Sequence, residues 1–198
     1  MQTSRCGFDR QWTKGAQNTR ENTHLLSCSR LLRSTLRLGG AFYLSEDFMK
    51  IIEYFKSDNK AHWKAKIAEG DWSAATYLAK IIDDEKAFTD YFSEGGKVFL
   101  LTEGEELISF VTLSKTDCFD DESLFPWIGF VYTFPQYRGH RYSEKLMNHA
   151  EAEARKAGYK KVYIGTDHEN LYERFGYTYM ESRPEKSGDM SKIYYKCL

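Results

Sequence analysis

No apolar run in the 198-residue chain approaches the roughly 20 residues that cross a bilayer, so no transmembrane helix is expected. Surplus charge of one sign is also missing. Lys and Arg number 28 against 29 Asp and Glu, a net charge of −1 that argues against a nucleic-acid coat. Cysteine pairing motifs are absent too. Cys6, Cys28, Cys118 and Cys197 are scattered, with no C-x-x-C and no His at ligand spacing. Neither a disulfide framework nor a metal site is expected, and a reducing, cytoplasmic setting is. What is abundant is aromatic: 14 Tyr and 13 Phe, mostly after residue 42, enough for a large core and an aromatic-lined cleft.

The composition changes near residue 48. Residues 1–44 hold seven Lys/Arg against two Asp/Glu, whereas from Met49 onward the count is 21 against 25. The basic segment, with Leu25, Leu26, Leu31, Leu32, Leu36 and Leu38 among Arg30, Arg33 and Arg37, reads in three ways. It is a disordered or marginally helical extension, an Arg- and Ser-rich targeting peptide, or sequence upstream of a true start at Met49. The third is preferred, because everything after Met49 reads as one complete domain. DNA binding through residues 5–37 ranks low, since neither aromatic interleaving nor a fold motif accompanies the charge. The chain therefore divides into a basic extension, 1–48, and a folded domain, 49–198.

Within the domain, 49–55 alternates as a first strand. Residues 59–70 and 73–95 carry helical spacing, each closed by a glycine. Residues 97–116 form two strands around a Gly-containing turn. Residues 126–134 are a strand stopped by Pro135. From Tyr142 to Ala157, Leu146, Met147, Ala150 and Ala154 recur at helical spacing up to Gly158. A strand at 161–166, a short helix at 169–176 and two closing strands follow. The order β-α-α-β-β-β-α-β-α-β-β predicts an α/β (α+β) mixed sheet, mostly antiparallel, with helices on both faces.

Residues 136–143, Gln-Tyr-Arg-Gly-His-Arg-Tyr-Ser, lie between that Pro-stopped strand and the long helix. A helix start presents unpaired N–H groups and the positive end of its dipole, which suits an anion. Arg138, His140, Arg141 and Ser143 converge there, and two arginines can hold a pyrophosphate bidentately. The loop carries one glycine where phosphate turns usually carry two or three. Taken alone it reads slightly better as a solvated basic loop with Ser143 as N-cap.

A second motif shifts the balance. Pro135-Gln136-Tyr137-Arg138-Gly139 is followed, after the next strand, by Leu171-Tyr172-Glu173-Arg174-Phe175-Gly176-Tyr177. The pair, in register with the expected elements, resembles the GNAT superfamily of N-acetyltransferases over residues 49–198, most firmly 126–180. The resemblance implies acetyl-CoA as co-substrate, no metal, and transfer of its acetyl group to an amine within a ternary complex. It implies backbone groups of Val131 and Thr133 for the pantetheine arm. The loop Arg138, Gly139, His140, Arg141, Tyr142 and Ser143 would hold the pyrophosphate. Strands 126–134 and 161–166 would splay apart, and Tyr172 would act as general acid toward the leaving thiolate. The acceptor is a small-molecule or peptide amine, and a homodimer stays open. A non-catalytic acyl-CoA-binding or regulatory module on the same fold is the alternative.

The sequence departs from the family pattern in places. Arg141 stands where a central glycine is usual, and Ser143 where the last small residue is. Gly165 falls where an asparagine is common, with Asn170 as a substitute. The general base is unassigned: His168 beside Asp167 suits the work by its ordinary pKa, and equally reads as a surface residue. Glu103, Asp117, Asp120, Asp121 and Glu122 are alternatives acting through water, although 117–123 reads as an exposed acidic loop. Cys118 as an acyl carrier is discounted for want of an adjacent base.

Overall fold

Period-two alternation in the central strands creates two cores on opposite faces of one sheet. The computed structural model describes residues 49–198; the basic extension and the readings offered for it lie outside them. In chain order the elements are β1 (Lys50–Glu53), α1 (Lys60–Ala68), α2 (Ser73–Ile81), α3 (Glu85–Phe92), β2 (Lys97–Glu103), β3 (Glu106–Ser114) and β4 (Trp127–Thr133). These are followed by α4 (Tyr142–Lys156), β5 (Lys161–Thr166), β6 (Thr178–Pro184) and β7 (Met190–Cys197). Short 3-10 turns occupy Tyr54–Lys56, Pro135–Tyr137 and Tyr172–Phe175.

The seven strands run in the order β1-β2-β3-β4-β5-β7-β6, antiparallel throughout except for β4 and β5. In β2, Val98 and Leu100 join the core under α1, α2 and α3, while Phe99 and Leu101 join the one under α4. The helical spacing read from the sequence puts Leu146, Met147, Ala150 and Ala154 of α4 wholly inside the second core. Each large apolar side chain so buried contributes roughly 1.5–3 kcal/mol. The mixed sheet with helices on both faces is as expected. Among the described residues no helix is long and apolar enough to cross a membrane.

Three local expectations are corrected. The single helix at 73–95 is two, because Asp84 leaves the helical region (φ −97°, ψ 98°) and its carboxylate accepts the Ala87 N–H at 3.0 Å. A short polar side chain that can bond nearby backbone competes with helix continuation and restarts it as an N-cap. The glycines at 70 and 95 do not cap helices: α1 passes into Glu69 in the right-handed region, and α3 ends at Ser93 with φ 62°. The helix at 169–176 is the turn Tyr172–Phe175, closed by Gly176 at φ 85°.

Parallel pairing of β4 with β5 is confined to one position, Trp127 opposite Tyr163, where the Tyr163 N–H bonds the Pro126 carbonyl at 3.0 Å. Beyond it the strands separate. A gap opens between 129–133 of one and 164–166 of the other.

Candidate active site

One wall of the gap carries a bulge. Phe110 pairs with Tyr132, but Thr112 pairs with Gly129, so Val111 alone faces both Phe130 and Val131. Phe130 takes up the extra residue at φ 48°, an unusual conformation for a bulky side chain. The Phe134 N–H bonds the Ile108 carbonyl at 3.1 Å, and the Ser109 hydroxyl donates to the Tyr132 carbonyl. Alternation then turns the backbone N–H and C=O groups of Val131 and Thr133 away from β3, toward the gap. Phenylalanine is a poor signal for such a bulge, and no local motif marks it.

The loop after β4 leads into α4 through two left-handed residues. Gly139 (φ 85°) and Arg141 (φ 57°, ψ 29°) are both left-handed, so Arg141 retains the conformation that normally calls for glycine. Arg141 occupies the N-cap of α4 without a side-chain cap, and the first helical N–H bond runs from Lys145 to the Arg141 carbonyl at 3.1 Å. Among the described residues none accepts from the N–H groups of Gly139 to Glu144. These donors stand at the positive end of a 15-residue helix and suit a pyrophosphate. Ser143 is the second helical residue, so the N-cap reading is set aside. His140 is exposed and stacks on Tyr142 (5.4 Å, 26°), which packs on the α4 core.

The two arginines are already engaged. Arg138 donates from Nε to the Thr133 carbonyl at 3.0 Å, reaches Asp71 Oδ1 at 3.4 Å and lies 5.8 Å over the Tyr132 ring. Asp71 also accepts the Tyr132 hydroxyl. Arg141 donates to Glu144 Oε1 at 2.7 Å and also meets Oε2, placing a neutralised carboxylate in the first turn of α4.

Tyr172 lies past the end of β5, 5% exposed, among Phe175, Tyr177 and Tyr194. Burial pushes its phenol up to about 12, against the opposing effect of its bond to the Thr166 hydroxyl. His168 is exposed, and its backbone N–H bonds Thr166 Oγ1 at 3.0 Å. Asn170 is exposed at φ 59°. At Gly165 a Cβ would come within 2.5 Å of the Phe119 ring, which explains why the usual asparagine cannot stand there.

The segment 117–123 is not uniformly exposed, contrary to the sequence expectation. Asp117 and Phe119 are buried, as is Leu124 just beyond. Burial, opposed by the Cys118 N–H bond, pushes the Asp117 carboxyl up to about 6. Burial and the neighbouring Asp117 and Glu185 carboxylates raise the Cys118 thiol far above its ordinary value, so it forms no thiolate near neutrality. Apolar Phe119 and Leu124 within the acidic run were the available sign that this loop turns inward.

A family model described as the Acetyltransferase (GNAT) family matches residues 60–177. Solved structures of similar fold include an acetyltransferase from Streptococcus agalactiae (19% identity, TM-score 0.54, 76% of this chain and 98% of that one). A GNAT-family protein from Desulfovibrio desulfuricans is 13% identical, with TM-score 0.57 over 76% and 99% of the two chains. An aminoglycoside 6'-N-acetyltransferase complexed with coenzyme A is 16% identical, with TM-score 0.53 over 75% and 97%. No curated protein sequence matches significantly. With its family model covering more than half of its length and its fold shared with these structures, the chain belongs to the GNAT acetyltransferase family.

Proposed function

We propose that the protein transfers the acetyl group of acetyl-CoA to an amine by direct attack in a ternary complex. The observation that carries this reading is the run of uncovered N–H groups from Gly139 to Glu144, at the mouth of the gap between β4 and β5. The coenzyme A complex of the aminoglycoside acetyltransferase of like fold supports it. In this reading the N–H run and Arg138 hold the pyrophosphate, and backbone groups of Val131 and Thr133 hold the pantetheine.

A neutral amine attacks the thioester carbonyl, and the C–S bond breaks as the tetrahedral adduct collapses. Tyr172 donates to the departing sulfur. With its phenol at about 12, it remains protonated at neutral pH. An ordinary thiol, at about 8.5, is the stronger acid. Tyr172 therefore works mainly by hydrogen bonding, and the proton it lends is restored from the nitrogen of the adduct. His168, exposed at the rim, stays a candidate base.

Titration of acetyl-CoA into the full chain tests the reading. Micromolar binding is expected, and absence of binding overturns it. The Arg141–Glu144 pair in place of a bare glycine turn favours a second reading, a weak acyl-CoA-binding module without turnover. Such a module binds acetyl-CoA but releases no thiol with any amine.

A further inference from the structure

We propose that Glu151 is a positioning residue for acetyl transfer: with Lys196 it holds Tyr177, and through Tyr177 it fixes where the Tyr172 phenol stands. This rests on the acetyl-transfer reading, in which Tyr172 is the proton donor.

Glu151 occupies a core position of α4. It follows Met147 by four residues and precedes Ala154 by three, so helical spacing turns it inward with them, and it is buried. A carboxylate in such a place needs partners, because an unpaired buried charge is strongly disfavoured. Two are in place. Glu151 Oε1 accepts the Tyr177 hydroxyl at 2.8 Å, and the Lys196 ammonium of β7 lies 2.9 Å from Oε1 and 2.7 Å from Oε2. The same ammonium lies 5.3 Å from the centre of the Tyr177 ring, within cation–π range. Tyr177 is thus held at its hydroxyl by α4 and on its ring face by β7. Burial, and then the Glu151 charge, raise its phenol far above the ordinary value, so it stays a donor.

A buried group of this kind is a poor source of stability, since taking the charges out of water offsets most of their attraction. What it adds is a fixed geometry, and that geometry falls on the turn carrying Tyr172. The Tyr177 N–H bonds the Tyr172 carbonyl at 3.0 Å, and the two rings meet edge to face, 6.1 Å apart at 73°. On another side the Tyr194 ring lies 6.3 Å from Tyr172, and the Tyr194 hydroxyl donates to Glu173 Oε1 at 2.8 Å. Tyr172 therefore stands between two tyrosines, each anchored by a glutamate.

The two anchors differ in what they tie together. Glu173 belongs to the same turn as Tyr172 and moves with it. Glu151 belongs to α4, whose N-terminus holds the pyrophosphate in the acetyl-transfer reading. The Glu151–Tyr177 bond therefore joins the element that holds the coenzyme to the turn that holds the proton donor. A misplacement of about 1 Å between such parts can lower a rate on the order of 100-fold.

Thiol release by the full chain tests this, with the best acceptor among phenethylamine, aniline and a peptide with a free N-terminus. Glu151→Ala and Tyr177→Phe are each expected to lower kcat about tenfold and to change KM for acetyl-CoA less than twofold. Together they should lower kcat no further, because they cut the same link. Glu151→Gln, whose amide oxygen still accepts the Tyr177 hydroxyl, should recover most of kcat. In a Tyr172→Phe background, Glu151→Ala should change kcat less than twofold. Should Glu151→Ala fail to fold, Tyr177→Phe, which leaves the ion pair in place, carries the same comparison. A loss that persists undiminished in the Tyr172→Phe background, or an unchanged kcat in both single variants, overturns the positioning role and leaves acetyl transfer standing. A wild-type protein that releases no thiol with any of these amines overturns the acetyl-transfer reading, and the positioning role with it.

Discussion

Arg138 donates from Nε to the carbonyl of Thr133 at 3.0 Å, so the first arginine of the phosphate loop covers the strand-end group that the pantetheine arm would use. It also reaches Asp71 at 3.4 Å, in the connection just before α2, and lies over the Tyr132 ring. Binding of acetyl-CoA then requires Arg138 to exchange a carbonyl and a carboxylate for a phosphate. Arg138→Ala should weaken acetyl-CoA binding about tenfold, the value of one charge-assisted contact. Asp71→Asn, which loosens the competing hold and still accepts the Tyr132 hydroxyl, should strengthen it two- to threefold. Calorimetry on both variants checks this, and a fall in affinity for Asp71→Asn would contradict the exchange.

Arg141 holds a left-handed backbone and neutralises Glu144 at the start of α4. Arg141→Gly should relieve the backbone, raising stability by up to about 1 kcal/mol. It should also expose the Glu144 carboxylate to the phosphates and weaken acetyl-CoA binding about fivefold, since charges at a helix N-terminus are worth up to about 1 kcal/mol. Adding Glu144→Gln should restore the affinity. Thermal melts and titration read the two effects separately, and an Arg141→Gly protein that binds acetyl-CoA more tightly would show that the arginine is a compromise.

Tyr172→Phe should lower kcat about 100-fold, the usual worth of a positioned proton donor, and leave acetyl-CoA affinity within twofold. Its phenol, at about 12, must be protonated to donate, so activity should not fall on the alkaline side until pH is well above 10. Steady-state rates between pH 6 and 10.5 check both statements. Unchanged turnover would return Tyr172 to a packing role.

Asp117 links stability to pH. Its folded carboxyl, at about 6, keeps a proton that the unfolded chain releases above 3.8, so the folded state binds more protons between these values. Stability from this group is fully present below pH 3.8, is lost as pH rises through 6, and is constant above. The loss at neutral pH is about 3 kcal/mol. Asp117→Asn should therefore melt several degrees higher than the wild type at pH 7.5 and no higher at pH 4. Equal melting at both pH values would show the carboxyl to be ordinary.

Much of the fold was legible because its signals are local. Leu146, Met147, Ala150 and Ala154 announce α4, and Gly158 ends it. The hairpin of β2 and β3 turns at Gly104, φ 57°, where the sequence put it. The break between α2 and α3 was missed because the helical spacing runs on through Ile81 and Ile82. Only the cap from Asp84 to Ala87 stops it. At the site, the single glycine of the loop and the Pro-ended strand could be read, whereas the Phe130 bulge could not. Nor could the burial of Asp117, which depends on Gly129 and Lys186, residues far apart in the chain. Long-range packing decides such features, and no local period records it.

The most direct measurement is release of the coenzyme A thiol from acetyl-CoA by the full chain, with and without phenethylamine. Amine-dependent release with formation of the N-acetyl product, diminished about 100-fold in Tyr172→Phe, is the predicted result. Tight acetyl-CoA binding with no amine-dependent thiol release across a panel of alkyl amines, aryl amines and peptides would contradict it and leave a binding module.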